Sequence, residues 1–245
     1  LFNAGEWTDL FAGSHRGFSP VAPGQPAEVK PELSWNHEAG LRLDLGDLHG
    51  SLAGFLNDYQ NLTGECTFSG GCTGDSVGQQ FNGGEVLIFG LEATAGHRFL
   101  LESGLEIPVD ATYAWTKSEF QTGFSSAFPQ FGNVEAGDSL PYVAKHQGAL
   151  HTGVATGGLT LGAGLSYRGE MLDAAGQFGE GDEITALWLV DAAASVVLAR
   201  GWSATLTGTN LAGATGITSW RPFGARPTAP SQVMVGLKWE GGSPG

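Results

Sequence analysis

The 245-residue chain carries 11 basic against 25 acidic side chains, for a formal net charge of −14, and 40 of its residues are Gly. That balance excludes a nucleic-acid surface, which needs clustered Lys and Arg, and no apolar run approaches the roughly 18 residues of a transmembrane helix. Gly, Thr, Val, Leu and aromatic residues in short runs point instead to an all-β architecture.

In chain order, WTDLFAGSHRGFSP reads as a first strand running into a long Pro-rich loop. Strict alternation follows in ELSWNHEAGLRLDLG, the signature of a strand whose two faces meet different surroundings. Leu33, Trp35, His37, Ala39, Leu41, Leu43 and Leu45 share one face, opposite Ser34, Asn36, Glu38, Gly40, Arg42 and Asp44. GDLHG turns the chain into LHGSLAGFLNDYQNL, with Leu48, Leu52 and Leu56 opposite His49, Ser51 and Asn57. A long loop then spans 61–84.

The next strand, EVLIFGLEATAGHRF, places Leu87, Phe89, Leu91, Ala93 and Ala95 on one face. A short turn leads to IPVDATYAWTKSEF, where Val109, Ala111, Tyr113 and Trp115 oppose Asp110, Thr112 and Thr116. After a second long loop, 121–145, HQGALHTGVATGG and LTLGAGLSYRGE form a hairpin. A loop over 171–183 precedes TALWLVDAAASVVLAR, the ARGW turn and WSATLTGTNL. A last long loop and SQVMVGLKW complete about ten strands.

Short turns and long loops therefore alternate, and many strands reach ten residues. That is long for a globular sheet and suited to a tilted crossing of a bilayer. Trp35, Tyr59, Tyr113, Trp115, Tyr167, Trp202 and Trp239 fall near strand ends, as in the aromatic girdles of outer-membrane barrels. In hydrocarbon every backbone polar group must be paired, which a closed antiparallel barrel achieves without edges. A passive porin-like or self-closed small barrel and a soluble carbohydrate-binding β-sandwich are the alternative architectures. An enzyme is not expected, since no G-x-S-x-G elbow is present.

Cys66 and Cys72 lie in one Gly-rich stretch, GECTFSGGCTG, and predict a small disulfide-closed loop in an oxidising compartment. Only Glu65 and Asp75 lie near them, so no metal site is expected, and no cofactor motif is found. The six His are scattered without metal-ligand spacing and read as lumen, interface or turn residues.

Several segments together resemble the C-terminal part of the barrel of a TonB-dependent outer-membrane receptor, of the ferric citrate or ferric siderophore type. They are HRGFSP (15–20), KPELSWNHEAGLR (30–42), NDYQNLTGECT (57–67), FNGGEVLIFGLEA (81–93), GDSLPYVAKHQ (137–147) and the closing NL, RPFGARP and GLKW. The resemblance implies about ten antiparallel transmembrane strands of a 22-stranded barrel in a Gram-negative-type outer membrane, with short periplasmic turns and long extracellular loops. Residues 1–240 would belong to the barrel and 241–245 to a flexible tail. It also implies uptake of a ferric chelate and contact with outer-membrane lipid. A plug domain, the remaining strands and the TonB box, which the TonB complex pulls using proton motive force, are expected outside this sequence.

An anionic chelate calls for guanidinium groups, which bind carboxylates through two parallel hydrogen bonds. Arg16, Arg221 and Arg226 in outward loops, with Arg168 at the outer end of a strand, are the candidate ligand contacts. The alternative use of each is to pair with loop carboxylates such as Glu170 or Asp173 and hold the loops.

Overall fold

The computed structural model describes residues 7–70, 72–128, 130–179, 183–199, 201–221 and 224–240. The tail expected at 241–245 lies outside the described residues.

Ten long strands carry the alternation: β1 (Trp7–Ser19), β2 (Glu32–Leu45), β3 (Leu48–Gln60), β4 (Val86–Leu100) and β5 (Glu106–Phe120). They continue as β6 (His146–Thr156), β7 (Leu159–Arg168), β8 (Leu187–Val197), β9 (Trp202–Thr209) and β10 (Gln232–Trp239). All ten join one antiparallel sheet in sequence order. Each hairpin register keeps the apolar positions opposite one another: Leu41 pairs with Leu52, Leu91 with Trp115, and Leu206 with Val235. A slip by one residue would turn a whole stripe over, so pattern and register specify each other.

This topology answers two of the alternatives. Among the described residues no second large sheet covers the first, which is not the arrangement of a sandwich. β1 and β10 are edges and do not pair with each other, so the sheet does not close on itself as a small barrel.

Among the described residues no second layer covers the apolar stripes. Leu52, Leu91, Tyr113, Trp188, Leu206 and Val235 are all exposed. In water each large apolar side chain left uncovered forgoes about 1.5–3 kcal/mol. The opposite face carries Ser51, Thr94, Thr112, Ser166, Thr205 and Thr207, with a hydroxyl–hydroxyl bond of 2.8 Å between Ser51 and Thr94. This polar face has glycines where side chains meet across three strands. His49 on β3 reaches Asp110 on β5 at 3.3 Å, over Gly96 of the strand between them. A Cβ on Gly96 would strike both groups.

The buried side chains gather at the end of the long loops. Val86 opens β4, Phe120 closes β5, and with Val134 they form a core against Tyr59, Leu62, Phe124 and Phe131. Tyr59 was expected in a membrane girdle. Its register, opposite Val86 and Ser34, instead turns it to the polar face and into this loop core. The Phe81 ring packs edge-on against Phe128 and Phe131 at centroid distances of 4.7 and 4.9 Å. Short ribbons stiffen four of the five long loops, among them Thr63–Glu65 with Gln80–Asn82. Cys66 and Cys72 form a disulfide with Cα atoms 5.8 Å apart. The loop over 20–31 is laid against this hairpin by paired bonds between Lys30 and Asn82, 2.7 and 2.9 Å.

Candidate functional site

The three last long loops, 121–145, 169–186 and 210–231, meet at one carboxylate. Asp173 is buried and receives three groups. The Tyr142 hydroxyl donates to Oδ1, the Trp220 backbone N–H donates to the same oxygen at 3.1 Å, and Arg221 Nε lies 2.9 Å from Oδ2. The last contact is an ion pair by distance, with an N–H that is not lined up on the oxygen. We read it as Coulombic holding, which a buried carboxylate makes stronger than a surface pair. Tyr142 also shares a 3.1 Å hydrogen bond with Ser219 Oγ, so one phenol touches two other loops.

Tyr142 holds this position at a backbone cost. Its φ of 59° lies in the left-handed region, which a bulky residue rarely adopts. Its N–H donates to Leu172 O at 2.8 Å, which anchors the conformation to the next loop. Burial, and then the hydrogen bond to Asp173, push the phenol above its ordinary value.

The last loop is built from Asn210, the first residue of its base. Asn210 is buried with φ 49°. Its side chain donates to Ala214 O at 2.8 Å and Ala229 O at 2.9 Å and accepts from Ala214 N–H at 2.8 Å. One amide thereby clamps both ends of the loop, and only an Asn tolerates the left-handed backbone while offering donor and acceptor together. A ribbon of Ile217–Ser219 with Arg226–Pro227 then brings Arg221 and Arg226 to the same tip.

The four candidate arginines do not form one set. Arg168 ends β7 on the polar face, and its Nη2 donates to Thr185 O at 3.1 Å and Ile217 O at 3.4 Å, carbonyls of the fourth and fifth long loops. It borders a trough of about 480 Å³ whose floor includes Thr94, Thr112, Ala114 and Ala149 and whose far side carries Glu92. Arg221 pairs with Asp173. Arg226 is exposed on the ribbon. Arg16 departs from the expectation of an outward loop. The β1–β2 ladder runs through Arg16↔Trp35 as far as Ser19↔Glu32, so Arg16 lies within β1 on the apolar face. Its guanidinium sits 5.7 Å from the Trp35 ring, a place for a cation at a membrane interface.

Asp173 was visible in the sequence as a carboxylate for loop pairing; Tyr142 and Ser219 were not singled out. The one signal was the LPY stretch ahead of β6, whose Tyr lies in a loop with no alternation to occupy it. Among the described residues no cluster of three or more His, Cys, Asp or Glu is placed to hold a metal ion.

Comparison with known proteins adds the family. The family model "TonB dependent receptor-like, beta-barrel" matches residues 1–211. No curated protein sequence matches the chain. Among solved structures, the ferric citrate transporter FecA in its unliganded form superposes with a TM-score of 0.72 at 19% identity, over 97% of this chain and 36% of that one. The siderophore receptor PiuA from Acinetobacter baumannii gives 0.71 at 18% identity, over 94% of this chain and 33% of that one. The ferripyoverdine receptor of the outer membrane of Pseudomonas aeruginosa gives 0.70 at 19%, over 95% and 31%. At such identities the likeness shows the fold. The chain spans about a third of the length of these structures.

Proposed function

The chain belongs to the TonB-dependent receptor-like β-barrel family, and from that premise we propose that it forms ten strands of the barrel of an outer-membrane receptor for an anionic ferric chelate, a siderophore or ferric citrate. Residues up to 240 supply barrel wall and loops. The edges of β1 and β10 pair with further strands of the same receptor, because each unpaired N–H or C=O in hydrocarbon costs several kcal/mol. A plug domain fills the polar side, and the TonB complex acts on that plug.

The observation that carries this reading is the placement of Arg168, Arg221 and Arg226 on one loop assembly, at the end of a sheet whose apolar stripes are exposed. In a chain of net charge −14, three guanidinium groups at one mouth form a local site for an anion. Arg16 belongs to the lipid boundary rather than to the ligand.

The test is ferric citrate and ferric siderophore binding to the complete receptor in detergent, with Arg221 and Arg226 both reversed to Glu. The expected result is a loss of affinity of at least about tenfold, the scale of one charge-assisted contact. Unchanged affinity would remove these residues from the ligand site.

A further inference from the structure

We propose that Asp173 is a positioning residue that presents the terminal fork of Arg221 to a carboxylate-bearing anion. The inference rests on the reading of Arg221 as a ligand contact and deepens it.

Asp173 meets Arg221 at Nε, through Oδ2 at 2.9 Å. Among the described residues nothing binds the two terminal nitrogens, and the Arg221 side chain is 21% exposed against 6% for Asp173. The guanidinium is thus held at Nε, with its terminal edge free of hydrogen bonds among the described residues. That edge is the part that grips a carboxylate through two parallel N–H···O bonds. Arg168 has less such freedom, because its Nη2 is committed to two loop carbonyls.

Asp173 is itself fixed from the other side. The Tyr142 hydroxyl and the Trp220 N–H both reach Oδ1, leaving Oδ2 for Arg221. Ser219 Oγ accepts from the Arg221 N–H at 3.1 Å, and its single proton is shared between the Arg221 carbonyl at 3.0 Å and the Tyr142 oxygen at 3.1 Å, which keeps the Arg221 backbone beside the same phenol. The left-handed Tyr142 backbone shows that this assembly is maintained against a local cost, as strained residues at working sites often are. A loop staple needs no open guanidinium edge. An anion anchor does, and it gains affinity from being pre-oriented.

The experiment labels arginines of the complete receptor in detergent with phenylglyoxal and reads adducts by mass spectrometry, with and without iron-free citrate as the probe. Citrate is expected to slow labelling of Arg221 by about tenfold in the natural sequence, the equivalent of one well-made charged contact. Asp173→Asn keeps the shape and the Tyr142 and Trp220 contacts, and it is expected to abolish most of that protection while labelling of Arg168 stays unchanged. Tyr142→Phe retains the charge pair and should give an intermediate loss, which keeps the test open should Asp173→Asn misfold. Absence of citrate protection in the natural sequence would overturn the inference. So would undiminished protection in both variants, or a rise in Arg168 labelling equal to that of Arg221, which would mark a general loosening of the loops. Ferric citrate binding is measured separately: citrate protection without ferric chelate binding would sink the proposed function and leave the anion anchor standing.

Discussion

In the strand wall, Leu91 and Leu206 are each 49% exposed, whereas in the loop crown Val86, Phe120 and Ile184 are fully buried. The same chain thus follows two rules of solvation. The wall has apolar side chains outward and hydroxyls on the opposite face, an arrangement stable only where the surroundings are hydrocarbon. The crown has an ordinary protein core, a disulfide and an ion pair on a buried carboxylate, and it is built for water. On the proposed reading the lipid boundary falls between them, near the row of Tyr113, Tyr167 and Trp188 that β5 to β8 present on the apolar face.

Substitutions can break that comparison. The largest effect is expected in the crown: Phe120→Ala removes the ring that joins β5 to the core and should cost about 3–5 kcal/mol of crown stability. Proteolysis of the long loops would report it, with the strand signal in circular dichroism unchanged. In the wall, Leu91→Arg should cost about 2–4 kcal/mol in vesicles, and Thr112→Arg on the polar face should cost far less. Equal costs in denaturant titration would remove the asymmetry between the faces. Cys66→Ser should loosen the hairpin over 61–85 by about 2 kcal/mol, the low end for a short closed loop, seen as faster amide exchange there and not in β4. The smallest effect is a pH dependence. The folded Tyr142 phenol lies above its ordinary 10.0, so its contribution is complete below pH 10 and is lost as pH rises through the raised value. Loop proteolysis should accelerate only on that alkaline side, and Tyr142→Phe should remove the dependence.

The wall was legible in the sequence because a period of two survives any amount of loop between strands. The faces read from Leu33 to Leu45 and from Leu87 to Ala95 are the faces that the registers show. Two misplacements have local causes. Arg16 looked like loop because Gly17, Ser19 and Pro20 follow it, yet ladder pairing with β2 carries the strand past it to Ser19. Tyr59 looked like girdle because it is aromatic near a strand end, but parity puts it on the polar face. The crown was not legible, because its contacts obey no period. Tyr142 meets Ser219 across 77 residues, and Trp220 meets Asp173 across 47. Sequence could supply the charges Asp173 and Arg221 as possible partners, and no more than that.

The account stands on the outward stripes facing lipid, and nitroxide scanning tests this most directly. Spin labels at successive positions 109–116 of β5 in the complete receptor, reconstituted in vesicles, would be assayed for collision with oxygen, which concentrates in hydrocarbon, and with a water-soluble nickel chelate. The expected result is oxygen exposure at 109, 111, 113 and 115, alternating with low oxygen exposure at 110, 112, 114 and 116. Oxygen and nickel accessibilities that rise and fall together, or show no period of two, would contradict the assignment of the apolar face to the membrane.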